Sequence, residues 1–366
     1  MQNQFNSNRR GDKQRNTYIA IIIAVLTVMT VITLVIVSLP GSKPVGSFNP
    51  PSDNGETTTE SQDGGGSSSD KPSGKYPSVG NFKDFGNPDS SSIAVSGSCA
   101  SLSGISSENA IVVDMSTGIA THAKGADEKI QIASMTKVMT LIVAIDEIES
   151  NDAFYERVTI KQSYIDKLRP QGYQLAFYNE AHYSAGKTYN VYVIDLLYGL
   201  MLQSGCDAAM ALADHLCGSE EAFVAKMNEK AAELGLENTH FTNCYGNDDG
   251  GKNYSTVREV GEMFLYALSN DLAEKIITTK SGDYYYYETY NYQYPVSMVL
   301  DGMLKRDTGD VEVLGGKSGN DDLAGYCLVS FGKTEDGHKY LVVTAGDKTN
   351  KSSYIDSAYI YKNYVS

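Results

Sequence analysis

Ser134 stands three residues before Lys137 at the head of the segment QIASMTKVMTLIVAIDEI, residues 131–148. From Val138 to Ile145 seven of eight residues are apolar, the exception being Thr140. A run of this length without strict alternation reads as a helix from Met135 to Ile148, apolar on nearly every side and therefore buried. Burying an ammonium is costly unless it is paired or gives up its proton. Helical positions i and i+3 share a face, which puts the hydroxyl and the amine within hydrogen-bond reach. A serine is a weak nucleophile until a neighbouring base takes its proton, and a desolvated lysine can be that base. The positive end of the helix dipole favours the neutral amine as well. The S-x-x-K pattern also occurs at Ser68, Ser184 and Ser330, but only Ser134 opens an apolar helix.

Two more short patterns could add to this chemistry. Ser204-Gly205-Cys206 lies in LQSGCDAAMALADH, between two helical patterns, where a loop can present a side chain. On its own it reads equally as an interhelical turn. Lys317-Ser318-Gly319 lies in LGGKSGNDDLAGYCLVSF and precedes an apolar strand pattern. The GGKS string is not a phosphate-binding loop, because position 311, which should then be glycine, is valine.

The elements that must position these residues can be read coarsely. AIVVDM and IATHAKG flank Ser116-Thr117-Gly118 as a hairpin. Helices are expected over 190–203 and 207–217, after Ser219 as N-cap, and from Thr256 with Glu259 as a capping box to about Leu268. After residue 283 short strands return, including the tyrosine run 284–287, and a last helical segment, YIDSAYIYKNY, closes the chain. Strands at both ends with helices between them predict an α+β fold: one antiparallel sheet flanked by helices, with an inserted helical subdomain.

Ahead of that domain, Arg9, Arg10, Lys13 and Arg15 precede Tyr18–Leu39, an uncharged stretch of 22 residues. At ~1.5 Å per residue this is long enough for a bilayer core, with the basic flank on the cytoplasmic side. A cleaved signal peptide fits less well, since SLPGSKP follows with no small-residue cleavage site. The division is therefore a cytoplasmic N-terminus (1–17), a single transmembrane anchor (18–39), a flexible Gly/Ser/Pro-rich linker (40–98) and a globular domain (99–366) outside the membrane. With 45 acidic against 30 basic residues, a net charge of −15 and no basic stripe beyond residue 20, nucleic acid is not a partner. Five scattered histidines and five cysteines show no zinc spacing and suggest no disulfide framework.

Taken in order, 70 and 113 residues apart, the three patterns resemble those of the serine D-alanyl-D-alanine carboxypeptidases, low-molecular-mass penicillin-binding proteins with a β-lactamase/transpeptidase-like fold. The resemblance covers about residues 105–366 and includes AIVVDMSTGIATHAKGADEKIQIASMTKVMT, DLLYGLMLQSGCDAAMALADH and the stretch around FTNCYG. It implies that Ser134 attacks the carbonyl between the two terminal D-alanines of a peptidoglycan stem peptide, with Lys137 as base and Ser204 relaying a proton to the leaving amine. Lys317 and Ser318 would hold the substrate carboxylate. Gly319 completes that motif, and the N–H groups of Ser134 and Asn320 would form the oxyanion hole. No cofactor or metal is implied, and β-lactams would acylate Ser134.

Four departures from the family pattern matter. Cys206 stands where asparagine is usual, a poor hydrogen-bonding substitute whose thiol could be reactive beside Lys137 or could equally serve in packing. Ser318 replaces threonine and keeps the hydroxyl. No arginine follows Arg306 to hold the carboxylate, which leaves Lys351 as a candidate. The chain ends at Ser366 without the β-rich domain and amphipathic tail of many relatives, which assigns anchoring to the N-terminal helix. A D,D-transpeptidase would use the same acyl-enzyme. A β-lactamase would need a deacylating glutamate, and no E-x-x-L-N string occurs. A non-catalytic wall-binding protein would have little use for a buried Lys137.

Overall fold

In the computed structural model, the described residues are 80–82, 93–148, 151–177, 189–280, 285–287, 292–294 and 298–365. The anchor expected over 18–39 lies outside them. Among the described residues no helix is long and apolar enough to cross a membrane.

Six strands form the main sheet: β1 (Ala94–Ser101), β2 (Asn109–Asp114), β3 (Ile119–Lys124), β4 (Glu312–Asp321), β5 (Gly325–Lys333) and β6 (Lys339–Asp347). Their order is β1-β3-β2-β6-β5-β4, so strands from the two ends of the domain meet at the β2–β6 pair. The helices between them are α1 (Lys137–Glu147), α2 (Gln162–Leu168), α3 (Val193–Leu202), α4 (Cys206–Cys217), α5 (Glu220–Glu233), α6 (Val257–Leu268), α7 (Asp271–Ile277) and α8 (Met298–Met303). The last helix is α9 (Asn350–Tyr364). This is the mixed architecture expected, with a helical insertion between β3 and β4.

The central strands are apolar on both faces because both faces are covered. Ile111, Val113, Val329, Phe331, Leu341 and Val343 join the large core made with α1 and α3–α7. Their neighbours Ala110, Val112, Leu328 and Val342 join a second core with Val299, Met303, Tyr354 and Tyr361 from α8 and α9. The expected caps form: Ser219 Oγ accepts from Ala222 N, and Thr256 accepts from Glu259 N at 3.0 Å. The Glu259 carboxylate turns instead to Asn238 N and the Thr239 hydroxyl.

Three expectations need correction. The sheet is antiparallel except at its edge, where β1 runs parallel to β3. Order also begins before residue 99: β1 starts at Ala94, Ile93 is buried, and Glu262 Oε1 accepts from Ile93 N at 2.8 Å. Further upstream, Phe82 stacks on Tyr266 with ring centroids 4.6 Å apart. The expected helix at 190–203 splits, because Tyr189–Tyr192 pairs with Arg157–Ile160 as a hairpin and α3 begins at Val193. β-branched and aromatic side chains favour the strand there. The tyrosine run supplies Tyr285–Tyr287, which pairs with Tyr292–Tyr294; its side chains lie outside the described residues.

Candidate active site

The cleft lies where the edge strand β4 meets the loop before α1 and the α3–α4 loop. Helix α1 is buried along Lys137–Ile145, as its composition requires. It does not begin at Met135, however: Ala133–Thr136 form a 3₁₀ turn and Lys137 opens the α-helix. Ala133 has φ 43° and Ser204 has φ 55°, both left-handed conformations that non-glycine residues rarely adopt. One immediately precedes Ser134 and the other is a motif serine, the kind of place where strain accompanies function. Gly246 makes the first turn possible: a Cβ there would lie 2.1 Å from Ala133 O. A Cβ on Gly319 would lie 2.9 Å from Ser134 N, so a side chain would fill the space in front of the N–H expected to bind the oxyanion.

Lys137 is fully buried and its Nζ has three acceptors: Ser134 Oγ at 2.9 Å, Tyr245 O at 2.6 Å and Cys206 Sγ at 3.3 Å. Three acceptors match the three N–H groups of an ammonium. When the amine is neutral, a carbonyl oxygen cannot donate back but a serine hydroxyl can. The Cys206 S–H can turn to the amine too but is a weak donor, so the Ser134 contact is the stronger one that can reverse and pass a proton. Lys317, 2% exposed, donates to Ser204 Oγ at 2.9 Å and to Ser318 O at 2.6 Å. Burial, and then the nearby Lys137, holds its ammonium well below the usual lysine range.

The six residues Ser134, Lys137, Ser204, Cys206, Lys317 and Gly319 thus converge on one cleft. Ser318 and Asn320 follow on the same strand β4, Asn320 exposed at the rim. Lys351 is exposed in the first turn of α9. Cys206 is 1% exposed and burial raises its thiol pKa, which favours the packing role over the reactive one of the two the sequence left open. All five cysteines are free.

Several supporting residues carried no motif. The Tyr245 carbonyl is presented by a turn in which Asn243 Oδ1 accepts from Tyr245 N, Gly246 N and Asn247 N. Thr140, the one polar residue in the apolar run, donates to Cys244 O at 2.6 Å and fastens the same turn to α1. Buried Asp207 accepts from Ala176 N and Phe177 N at 2.7 and 2.8 Å, and Cys206 N donates to Gln174 O, so the 174–177 segment is held over the Ser204 loop. An Asn three residues before a Gly, and a polar residue within an apolar run, were the signals available for the first pair.

Two serine–lysine pairs, Ser134–Lys137 and Ser204–Lys317, thus make up the candidate site. Comparison with known proteins gives the family. Residues 96–349 match the peptidase S11 model, D-alanyl-D-alanine carboxypeptidase, and the chain belongs to that family of serine peptidases. It is 35% identical over 235 residues to the D-alanyl-D-alanine carboxypeptidase of Streptomyces sp. strain K15, covering 60% of this chain and 74% of that one. It is 31% identical over 227 residues to the carboxypeptidase DacF of Bacillus subtilis, covering 62% of this chain and 54% of DacF. Among solved structures, the Streptomyces K15 DD-transpeptidase matches with a TM-score of 0.60 at 28% identity, over 72% of this chain and 99% of that one.

Proposed function

We propose that this protein is a serine D-alanyl-D-alanine carboxypeptidase that trims the terminal D-alanine from peptidoglycan stem peptides through an acyl-enzyme on Ser134. The observation that carries the reading is the Ser134 Oγ–Lys137 Nζ contact of 2.9 Å inside a buried cleft shared with the Ser204–Lys317 pair. Ser134 Oγ bonds to the penultimate D-alanine carbonyl while its proton passes to Lys137. The oxyanion is met by the N–H groups of Ser134 and Asn320. The C–N bond breaks as the leaving amine takes that proton by way of Ser204, and D-alanine departs. Water then attacks the ester, gives a proton to Lys137, and Ser134 recovers it as the shortened peptide leaves. Lys317 and Ser318 receive the substrate carboxylate, and β-lactams acylate Ser134 by the same attack.

The uncharged run Tyr18–Leu39 behind a basic flank supports a single membrane anchor with the catalytic domain outside the cytoplasm. The Gly/Ser/Pro-rich stretch that follows it supports a tether that lets the domain reach substrate away from the membrane surface.

Transpeptidation is the second reading, favoured by one observation. In the Streptomyces K15 DD-transpeptidase a serine and a cysteine two positions apart have each been replaced in solved variants. That is the spacing of Ser204 and Cys206. Release of D-alanine from a diacetyl-Lys-D-Ala-D-Ala peptide, with and without glycine as amine acceptor, separates the two. The carboxypeptidase reading expects hydrolysis in buffer alone. Product formed only with glycine would make the protein a transpeptidase.

A further inference from the structure

Two aspartates meet where α9 packs on the sheet. Asp347 ends β6 and Asp356 lies in the second turn of α9, and they are 1% and 5% exposed. Both are held by Ser106 and Ser107, in the segment between β1 and β2. Ser106 Oγ lies 2.7 Å from Asp347 Oδ1 and 3.0 Å from Asp356 Oδ2. Ser107 Oγ lies 2.8 Å from Asp347 Oδ2 and 2.7 Å from Asp356 Oδ2, and Ser107 N donates to Asp356 Oδ2 at 2.6 Å. These are five contacts, and the serines bring three protons to them, from two hydroxyls and one N–H. A hydroxyl that donates to one carboxyl can only accept from the other, which must then carry a proton. Among the described residues no cation makes up the difference: Lys124 Nζ, beside this segment, donates to Ser107 O at 2.6 Å instead. Lys348 and Lys351 are exposed, Glu108 is exposed beside Gly346, and the buried Cys327 thiol is pushed up to about 12 and neutral.

We propose that Asp347 and Asp356 share one proton and form an acid-pair latch that fastens α9 to the sheet. With the proton on Asp347, every contact but the longest is satisfied. The Asp347 carboxyl donates to Ser107 Oγ, the Ser107 hydroxyl and N–H donate to the Asp356 carboxylate, and the Ser106 hydroxyl donates to Asp347 Oδ1. Two ionised carboxylates this close and this dry would repel each other. Burial raises the Asp347 carboxyl, the two serine contacts oppose that, and the Asp356 charge adds to it. The helix fastened in this way brings Tyr354, Ala358, Ile360 and Tyr361 to Leu328 and Val342 in the second core. The unfolded chain, with ordinary aspartates titrating near about 4, does not hold the proton at higher pH. The latch therefore stabilises the native state most in acid, and that stabilisation is lost as pH rises through the titration of the pair.

The test counts that proton. The full chain is unfolded in urea at about pH 5.5 in weak buffer and the protons released are measured. The parent is Glu262→Gln, because Glu262 is itself pushed up to about 7 by burial and would add a proton of its own. Asparagine at 347 keeps the shape of the acid and offers an N–H where the carboxyl offered its proton. Asp347→Asn and Asp356→Asn should each release about one proton fewer than the parent. The double variant should also release about one fewer, because the proton belongs to the pair. Hydrogen exchange gives the local readout. Amides of α9, corrected for the intrinsic rate, should lose protection in the parent by up to about tenfold per pH unit from about pH 4 upward, and stay level in Asp347→Asn. Equal proton release by the parent and both single variants, a double variant that releases two fewer, or α9 protection independent of pH in the parent would overturn the inference.

Discussion

Lys137 and Lys317 are both buried and both face the same cleft, but their surroundings differ. Lys137 opens a helix and has three hydrogen-bond partners, Ser134 Oγ, Tyr245 O and Cys206 Sγ, before any substrate arrives. Lys317 lies on an edge strand with two acceptors, Ser204 Oγ and Ser318 O, and has the charge of Lys137 nearby. The first lysine has all its partners in the free enzyme. The second is held short of its charge and gains both a third partner and a reason to be protonated when an anion enters. On the proposed function, the same residue type is divided into a proton-transfer group and an anion receptor by context alone.

The sharpest way to break this comparison is to replace each lysine by methionine. Lys137→Met should lower penicillin acylation by about 10³-fold or more, the usual weight of a general base. It should also destabilise the fold by roughly 1–3 kcal/mol, because Tyr245 O loses its donor inside the protein. Lys317→Met should slow acylation less, by about 10²-fold, yet raise thermal stability by about 1 kcal/mol, since it removes a cation that burial disfavours. Stopped-flow acylation and thermal melts of the two variants check this. Equal stability changes of the same sign would remove the distinction.

pH sharpens the comparison further. Lys317 has a folded pKa below its unfolded one, so the unfolded chain binds the extra proton and stability rises with pH until the unfolded lysine is also neutral. Glu262 makes the opposite contribution at lower pH. Burial pushes its carboxyl up to about 7 from the ordinary glutamate range, although it accepts from Ile93 N. The native state then holds the proton more tightly than the unfolded state. The stabilisation present at low pH is lost as pH rises through about 7. Glu262→Gln keeps an acceptor for Ile93 N and should flatten that loss, a gain of roughly 2 kcal/mol at pH 8 relative to wild type. Urea unfolding at pH 5 and pH 8 reads it; parallel pH profiles for the two proteins would show that Glu262 does not titrate in this range.

Much of the site was legible because its chemistry depends on side chains at fixed spacing. Ser134 and Lys137 had to share a helical face, and a lysine inside an apolar run needed a use. The hairpin at 116–118, the caps at Ser219 and Thr256 and the closing strands followed from local rules. What escaped was contributed by the main chain or by tertiary pairing. Tyr245 supplies Lys137 with a carbonyl, which any residue possesses. The parallel β1–β3 edge and the strand at 189–192 depend on partners distant in sequence. Cys206 stayed open between a reactive and a packing role because burial, which raises its thiol pKa, is not encoded in a three-residue motif.

The central claim is that Ser134 is a nucleophile activated by Lys137. Intact mass of the full chain after incubation with penicillin, for wild type, Ser134→Ala and Lys137→Met, tests it most directly. The account predicts one penicillin adduct per wild-type chain, none on Ser134→Ala and, over the same time, almost none on Lys137→Met. Rapid loss of the wild-type adduct within seconds would mark a β-lactamase. A folded wild-type protein with no adduct, or an adduct that survives in Ser134→Ala, would contradict the account.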